Sequence, residues 1–529
     1  MAPGTASLAL RTPPYFCQTD HRQRCLAQLR SKVSGLEKYI YLNGLKERDF
    51  IIFYELVLAN VLELIPILYT PTVGDACSNY SHIWRHSEGL YISIEHKGHI
   101  RDVLRAWPAG QLARIAVVTD GSRILGLGDL GANGLPIAIG KLDLYIVGAG
   151  VRPSTTVPIC LDLGTNTQKF IDDPLYLGLR RKRPDTEEMD AFMQEFIDSM
   201  KEIFPHLLVQ FEDFSTDNAF RYLDLFRTKY CVFNDDVGAV VLSGFINAAK
   251  LSSQAAGTPL HDQRILFFGA GSAGIGVAKQ LMSFFTVLGL SEEEAKNRIY
   301  TVDSKGLITA DRKGLQAHKT YFARTDYTGP PLTSLIDIIR FVKPTALLGL
   351  STIRNAFTEE VVRLMAKMNK RPIIFPLSNP VALCEVDFAD AVQWTNGSVI
   401  FASGSPYKSV EFKGKTYEPG QGNNMYIFPG LGLGTILSKA KHVTDSMVER
   451  ASIALSDSLT REEKEAQLVY PRLGRIRDIS VEIAFAVIRA AQKDGVDGNT
   501  LFRNLSDDVL FDTIKSKQWM PIDRRSSVL

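Results

Sequence analysis

Cysteine pairs, long apolar runs and an excess of either charge are all missing from this chain. Its six cysteines, Cys17, Cys25, Cys77, Cys160, Cys231 and Cys384, are scattered without a Cys-x-x-Cys spacing. That argues for a reducing compartment and against a zinc or disulfide framework. Lys and Arg total 60 against 58 Asp and Glu, a net charge of +2. No basic stripe interleaves with aromatics, so nucleic acid is not an expected partner. No window reaches the ~18 uncharged apolar residues of a membrane span. The best candidate, Ile137 to Val151, is interrupted by Lys141 and Asp143. No acid precedes Asp20, but Arg11, Arg22 and Arg24 follow too loosely for an amphipathic presequence. The expectation is a cytoplasmic protein, with the mitochondrion as the alternative.

What is present is an ordinary globular composition, 45% apolar and 22% charged over 529 residues, too long for one core and suited to about two to four domains. Residues 20 to about 68 read as helical, with Leu26, Leu29, Val33 and Leu36 at helical spacing and a second apolar run from Phe50 to Leu68 ending at Pro66 and Pro71. From about 90 to 235, short apolar runs such as Ile115–Val118 and Pro158–Leu161 alternate with helical segments, a pattern that predicts a parallel sheet with crossover helices. A helix over Gly238 to Lys250 then leads into the buried-strand run Arg264–Phe268. Further such runs lie at Ile299–Val302, Ala346–Leu350 and Pro372–Leu377. They predict a doubly wound domain, followed from about 424 by a helical tail.

Two acidic segments stand out. Phe211-Glu212-Asp213-Phe214 and Phe233-Asn234-Asp235-Asp236 each follow an apolar strand-like run. Carboxylates on such runs resist burial unless something neutralises them, and a hard divalent cation does so with oxygen ligands. Asp235 or Asp236 would also serve as a helix N-cap. Two converging acidic clusters ahead of a glycine-rich loop favour the metal.

That loop is Gly269-Ala270-Gly271-Ser272-Ala273-Gly274, between a strand and a helix running to Phe284. The first glycine permits a tight turn, the second lets backbone approach a pyrophosphate, and the third lets helix and strand pack closely. Strand–turn–helix context makes this a dinucleotide site. Asp303, at the end of the next strand run, would accept hydrogen bonds from the adenosine ribose. It lies farther along than the usual ~20 residues, so the first crossover must be enlarged. Ser304 and Lys305 would tolerate a 2′-phosphate that Asp303 would repel, which leaves NAD and NADP both open.

Candidates for proton transfer are Lys141 and Tyr69. Lys141 sits in the apolar stretch Ile137–Leu142, where desolvation would draw its pKa toward that of a general base, though a lysine there also snorkels readily. Tyr69, in Leu68-Tyr69-Thr70-Pro71, follows a helix; such a tyrosine commonly packs, and is also a competent phenolic acid. Arg123 lies in what reads as a strand-to-strand turn and would clamp a carboxylate in bidentate fashion. Asn379 leaves the end of an apolar strand, the edge where open α/β sheets bind ligands. Gln421-Gly422-Asn423-Asn424 alone reads as a polar turn.

Together these segments resemble the malic enzymes. The carrying blocks are Leu68–Gly74 (LYTPTVG), Val118–Gly131 (VTDGSRILGLGDLG), Gly140–Tyr145 (GKLDLY), Leu163–Asn166 (LGTN) and Asp173–Leu179 (DPLYLGL). Phe211–Phe214 (FEDF), Phe233–Asp236 (FNDD), Ser378–Pro380 (SNP) and Gln421–Pro429 (QGNNMYIFP) follow in the family's order, over roughly residues 36 to 495. The resemblance implies oxidative decarboxylation of L-malate to pyruvate and CO2 with NAD or NADP and Mg2+ or Mn2+. By position Glu212, Asp213 and Asp236 would ligate the metal, Lys141 would take the hydroxyl proton, and Tyr69 would protonate the enolate carbon. Arg123, Asn379, Asn423 and Asn424 would hold malate's carboxylates. Gly269, Gly271, Ser272, Ala273, Gly274 and Asp303 would hold the dinucleotide. The implied architecture is α/β: a helical N-terminal domain (1–87), a parallel-sheet central domain (88–234 with 424–495), an inserted doubly wound Rossmann domain (235–423) and a tail (496–529). A homo-oligomer, dimer or tetramer, is implied as well.

One departure stands beside a predicted ligand. The family continues after Asn-Asp-Asp with a hydrophobic residue and then Gln-Gly-Thr. This chain reads Asp235-Asp236-Val237-Gly238-Ala239 and lacks those three residues. Their loss would turn a helix by ~300° or shorten an extended loop by ~10 Å. The alternative expectation is therefore a catalytically impaired relative acting as a nucleotide-binding or regulatory subunit.

Overall fold

A computed structural model describes residues 18–107, 112–234, 237–379 and 381–521. These fall into two compact units. The first is the described part of Met1–Ser199 with Glu212–Phe214 and the segment from Gln518. The second comprises Met200–Phe211 and Ser215–Lys517.

The first unit opens with helices Gln18–Arg30, Gly35–Arg48, Phe50–Ala59 and Val61–Leu68. The expected continuous periodicity is broken before Gly35, where Ser34 and Glu37 form a reciprocal capping box. Val33 consequently lies outside the helices and is exposed. Pro66 lies inside the last of these helices rather than ending it. Burial of Leu64, Ile65, Ile67 and Leu68 holds the turn despite the missing N–H.

Three parallel strands follow: β1 (Leu90–Ser93), β2 (Ile115–Thr119) and β3 (Thr156–Asp162), with β3 in the middle. All of β2 is buried, as expected for a parallel sheet covered on both faces. Helix Leu135–Ala149 crosses over between β2 and β3, and every one of its residues is buried. Its far side is anchored by Asp143, whose Oδ1 accepts the Tyr54 hydroxyl at 2.7 Å and lies 2.8 Å from Lys46 Nζ, which also pairs with Glu88. Its C-terminal Gly150, in the left-handed region, accepts the Trp519 N–H at 2.7 Å.

In the second unit, β4 (Leu208–Phe211) and β5 (Val232–Asn234) pair in parallel. A seven-stranded sheet follows, built from β6 (Ile265–Phe268), β7 (Ile299–Asp303), β8 (Gly306–Leu307), β9 (Ala346–Gly349), β10 (Ile373–Pro376), β11 (Ile400–Ser403) and β14 (Gly420–Gln421). Strands β12 (Val410–Phe412) and β13 (Lys415–Tyr417) form a separate antiparallel hairpin. The large sheet runs β14-β11-β10-β9-β6-β7-β8, parallel except for the β7–β8 edge. Strand order reverses beside β6, the switch point of a doubly wound fold. The β6–β7 crossover is enlarged as expected: helix Ser272–Val287 is followed by a second, Glu292–Lys296. Among the described residues no helix is long and apolar enough to cross a membrane.

Candidate active site

Lys141 is completely buried, so the buried reading holds over the snorkelling one. Its Nζ lies 2.9 Å from Glu212 Oε1, and the two side chains are 0% and 2% exposed. The same Nζ stands 5.0 Å from the centre of the Tyr69 ring. Gly140 makes this approach possible, because a Cβ there would meet the Leu68 carbonyl at 2.7 Å. Tyr69 itself closes helix Val61–Leu68, its N–H bonding to Ile65 O.

The acidic pair is fixed from the β2 side. Glu212 N–H donates to Val118 O at 2.8 Å. Asp213 sits at φ +53, a region that non-glycine residues occupy at a cost and that clusters at functional sites. Its carbonyl accepts the Arg123 N–H at 3.2 Å, and its Oδ2 accepts the Leu125 N–H at 2.8 Å. Arg123 is therefore tied through its backbone to the residue predicted as a metal ligand. Its loop joins strand β2 to the Lys141 helix, not strand to strand as the sequence suggested, because no strand forms between Thr119 and Leu135.

Sequence reasoning missed what holds that loop. Arg183 Nε and Nη2 bond both carboxylate oxygens of Asp129 at 3.0 and 2.9 Å, and Nη2 also donates to Asp120 O at 2.8 Å. Asp120 is fully buried, with its Oδ1 accepting Ser122 N–H and Oγ–H. Burial holds its carboxyl above the usual range, against the pull of Arg183. The only local signal was a basic run, Arg180 to Arg183, which reads as a solvated turn.

In the second unit, the C-terminal strand edge gathers the other predicted residues. After β6, Gly269 has φ +119, and a Cβ there would strike Leu350 at 2.5 Å. A Cβ on Gly274 would strike Gly269 O at 2.0 Å, whereas one on Gly271 would meet only open space. The first and third glycines thus serve the turn, and the second leaves room for a ligand's phosphates at the N-terminus of helix Ser272–Val287. Backbone at Ser272 and Ala273 forms that first turn.

Asp303 ends β7 and is already occupied. Lys319 Nζ lies 3.0 Å from its Oδ2, Arg312 pairs with the same oxygen, and the Lys305 N–H donates to Oδ1 at 2.9 Å. Burial works to raise its pKa, but these bonds prevail and hold the carboxyl below its ordinary value.

Asn379 follows β10 and accepts the Ser405 hydroxyl at 2.5 Å. The adjoining Ser378 donates to Glu385 Oε1 at 2.6 Å, an oxygen that also accepts Ser351 N–H and Oγ–H. Glu385, fully buried, is a second residue without a sequence signal. The stretch read as a turn is instead strand β14 followed by a short 3-10 helix, Asn424–Tyr426. Asn423 caps it, its Oδ1 accepting Met425 N–H at 3.0 Å.

The structure thus assembles Tyr69, Arg123, Lys141, Glu212 and Asp213 in one unit, and the glycine loop, Asp303, Asn379, Asn423 and Asn424 in the other. Asp236 lies outside the described residues. Among the described residues no three His, Cys, Asp or Glu side chains form a metal-holding group. Glu212 and Asp213 supply hard carboxylate oxygens of the kind Mg2+ and Mn2+ take, and Asp236 is the further ligand the resemblance implies.

Known proteins resemble this chain over most of its length. Residues 46–227 match the family described as malic enzyme, N-terminal domain, and residues 235–492 match malic enzyme, NAD binding domain. The NADP-dependent malic enzyme of Dictyostelium discoideum is 46% identical over 506 residues, covering 95% of this chain and 91% of that protein. The NAD-dependent mitochondrial malic enzyme of Ascaris suum is 42% identical over 492 residues, covering 92% and 75%. The crystal structure of Entamoeba histolytica malic enzyme superposes with a TM-score of 0.58 at 23% identity, over 97% of this chain and 91% of that one, and shares the fold. Two family models that together span residues 46 to 492, and relatives more than 40% identical over most of the chain, lead to one assignment: the chain belongs to the malic enzyme family.

Proposed function

We propose that this chain oxidatively decarboxylates L-malate to pyruvate and CO2, with NADP as the preferred nucleotide and Mg2+ or Mn2+ as the metal. The observation that carries this reading is the buried Lys141–Glu212 pair, with Lys141 over the Tyr69 ring. Glu212, Asp213 and Asp236 hold the metal, and the glycine loop and Asp303 hold the dinucleotide. When bound, these supply a Lewis acid for the substrate's oxygen and an acceptor for the hydride.

With Glu212 turned to the metal, Lys141 would give up the proton it holds in the ion pair, and its neutral Nζ would then receive the proton of the C2 hydroxyl as C2 is oxidised. Its burial keeps water from competing for that proton. Arg123, Asn379 and Asn423, with Asn424, bind malate's carboxylates. Loss of CO2 leaves an enolate, and the Tyr69 hydroxyl returns a proton to its carbon. The preference for NADP follows from Asp303. With Arg312 and Lys319 both paired to it, its charge is more than balanced and does not repel a 2′-phosphate.

Further proposals are the four-part division set out from the sequence, a homo-oligomeric state and a cytoplasmic location. Packing of helices Phe428–Ser438 and Ile476–Lys493 on each other, and of the former on β4, supports joining 424–495 to the central domain. The activity is tested by following NADPH formation from L-malate with and without Mn2+. Metal-dependent formation is expected, and its absence with either nucleotide overturns the reading.

A further inference from the structure

We propose that the cleft around Arg371 in the second unit is a binding site for a small oxyanion, a carboxylate or a phosphate, distinct from the substrate and nucleotide residues. Arg371 lies between helix Glu359–Met368 and β10, and it is half-buried. Its Nη1 donates to Gln467 Oε1 at 3.0 Å and its Nε to Ser398 O at 3.5 Å. Both acceptors are neutral. Among the described residues no carboxylate pairs with it, and burial pushes its guanidinium below the usual arginine value. An arginine does not escape burial by losing its proton, as a lysine does, so its charge stays in the cleft and calls for an anion.

The surroundings fit that demand. A cavity of about 280 Å³ opens in front of Arg371, walled by Ser398, Tyr417, Gln467 and Lys415. Lys415 is exposed, its Nζ 5.2 Å from the centre of the Tyr417 ring, and brings a second positive charge. Among the described residues the one acid on the wall is Glu418, already bonded to Arg472 at 2.8 Å. The guanidinium's planar fork matches a carboxylate or phosphate, and the cavity holds a molecule of metabolite size.

The position gives such a ligand something to act on. Ile400, Phe401 and Gly420 line the cavity and belong to the paired strands β11 and β14. Directly beyond β11 lies Ser405, bonded to Asn379, and directly beyond β14 lies Asn423. An anion on Arg371 would brace the two strands that present these asparagines. The site is a candidate for effector control of substrate affinity, a role that rests on the malate reading above, whereas the binding itself does not.

The test is calorimetric titration of the intact chain with inorganic phosphate and, separately, with malonate, repeated on Lys415→Gln and Arg371→Gln. Saturable binding that weakens about tenfold or more in both variants is expected. Lys415→Gln alters an exposed side chain and keeps the test valid should Arg371→Gln fail to fold. Weakening of phosphate alone identifies a phosphoryl ligand, and weakening of malonate alone a carboxylate. No binding at millimolar anion, or binding that both variants leave unchanged, overturns the proposal. The latter outcome would place the anion at the glycine loop or the malate residues. Failure of the malate reading would show separately, as absent turnover with anion binding intact.

Discussion

Lys141 and Glu212 form an ion pair 2.9 Å long in which neither side chain reaches solvent. Removing one partner of such a pair strands the other charge, which costs about 3–5 kcal/mol. Lys141→Met is expected to destabilise the protein by that order in chemical denaturation. It should also lower turnover by about 10²–10⁴-fold, the usual contribution of a positioned base. Near-normal turnover would remove Lys141 from the chemistry.

Tyr69→Phe removes only the hydroxyl and keeps the ring beneath Lys141. The expected result is a fall in turnover of about 10²-fold with little change in stability. Exchange of pyruvate methyl protons with solvent, followed by NMR, should fall in parallel. Unchanged exchange would mean that another group delivers the proton.

Arg183 bonds both oxygens of Asp129 and caps the Asp120 carbonyl, fixing the loop that carries Arg123. Arg183→Met is expected to destabilise by roughly 3 kcal/mol and to raise KM for malate more than it lowers turnover. A loss of stability without a change in KM would confine Arg183 to holding the fold.

How much of this was legible beforehand divides by range. The glycine loop and the first acidic segment stood out as candidates because their signals are local, a spacing or a charge after an apolar run, whereas the apolar run around Lys141 allowed a snorkelling lysine as well as the buried one found. Arg183 and Glu385 did not stand out, since each earns its place through partners far along the chain that no local pattern exposes. The left-handed backbone of Asp213 was equally silent, because aspartate's sequence neighbours do not dictate it. Fold class was readable from the strand–helix alternation. The break before Gly35 was not, because the hydrophobic spacing runs on across it.

Asp303 gives the clearest pH dependence. Its folded-state pKa lies below the unfolded one, so the unfolded chain binds more protons as the medium acidifies. The stabilisation is complete above the ordinary carboxylate value of about 4 and is lost as pH falls through the folded value. Lys319→Gln should shrink this acid-side loss, measured as denaturation midpoint against pH. The same variant should lower kcat/KM for NADP by about tenfold and leave that for NAD nearly unchanged. Equal effects on the two nucleotides would take Lys319 out of cofactor choice.

The most direct test of the whole account is the unaltered chain set beside a version with Gln-Gly-Thr inserted after Val237, where helix Val237–Ala256 begins. Pyruvate and NADPH formed from L-malate would be measured together, with Mn2+ and then with a chelator. The account predicts equal amounts of both products from the unaltered chain, lost on chelation, and less than about a tenfold gain from the insertion. Turnover that appears only in the inserted version would contradict it and make this chain a silent relative.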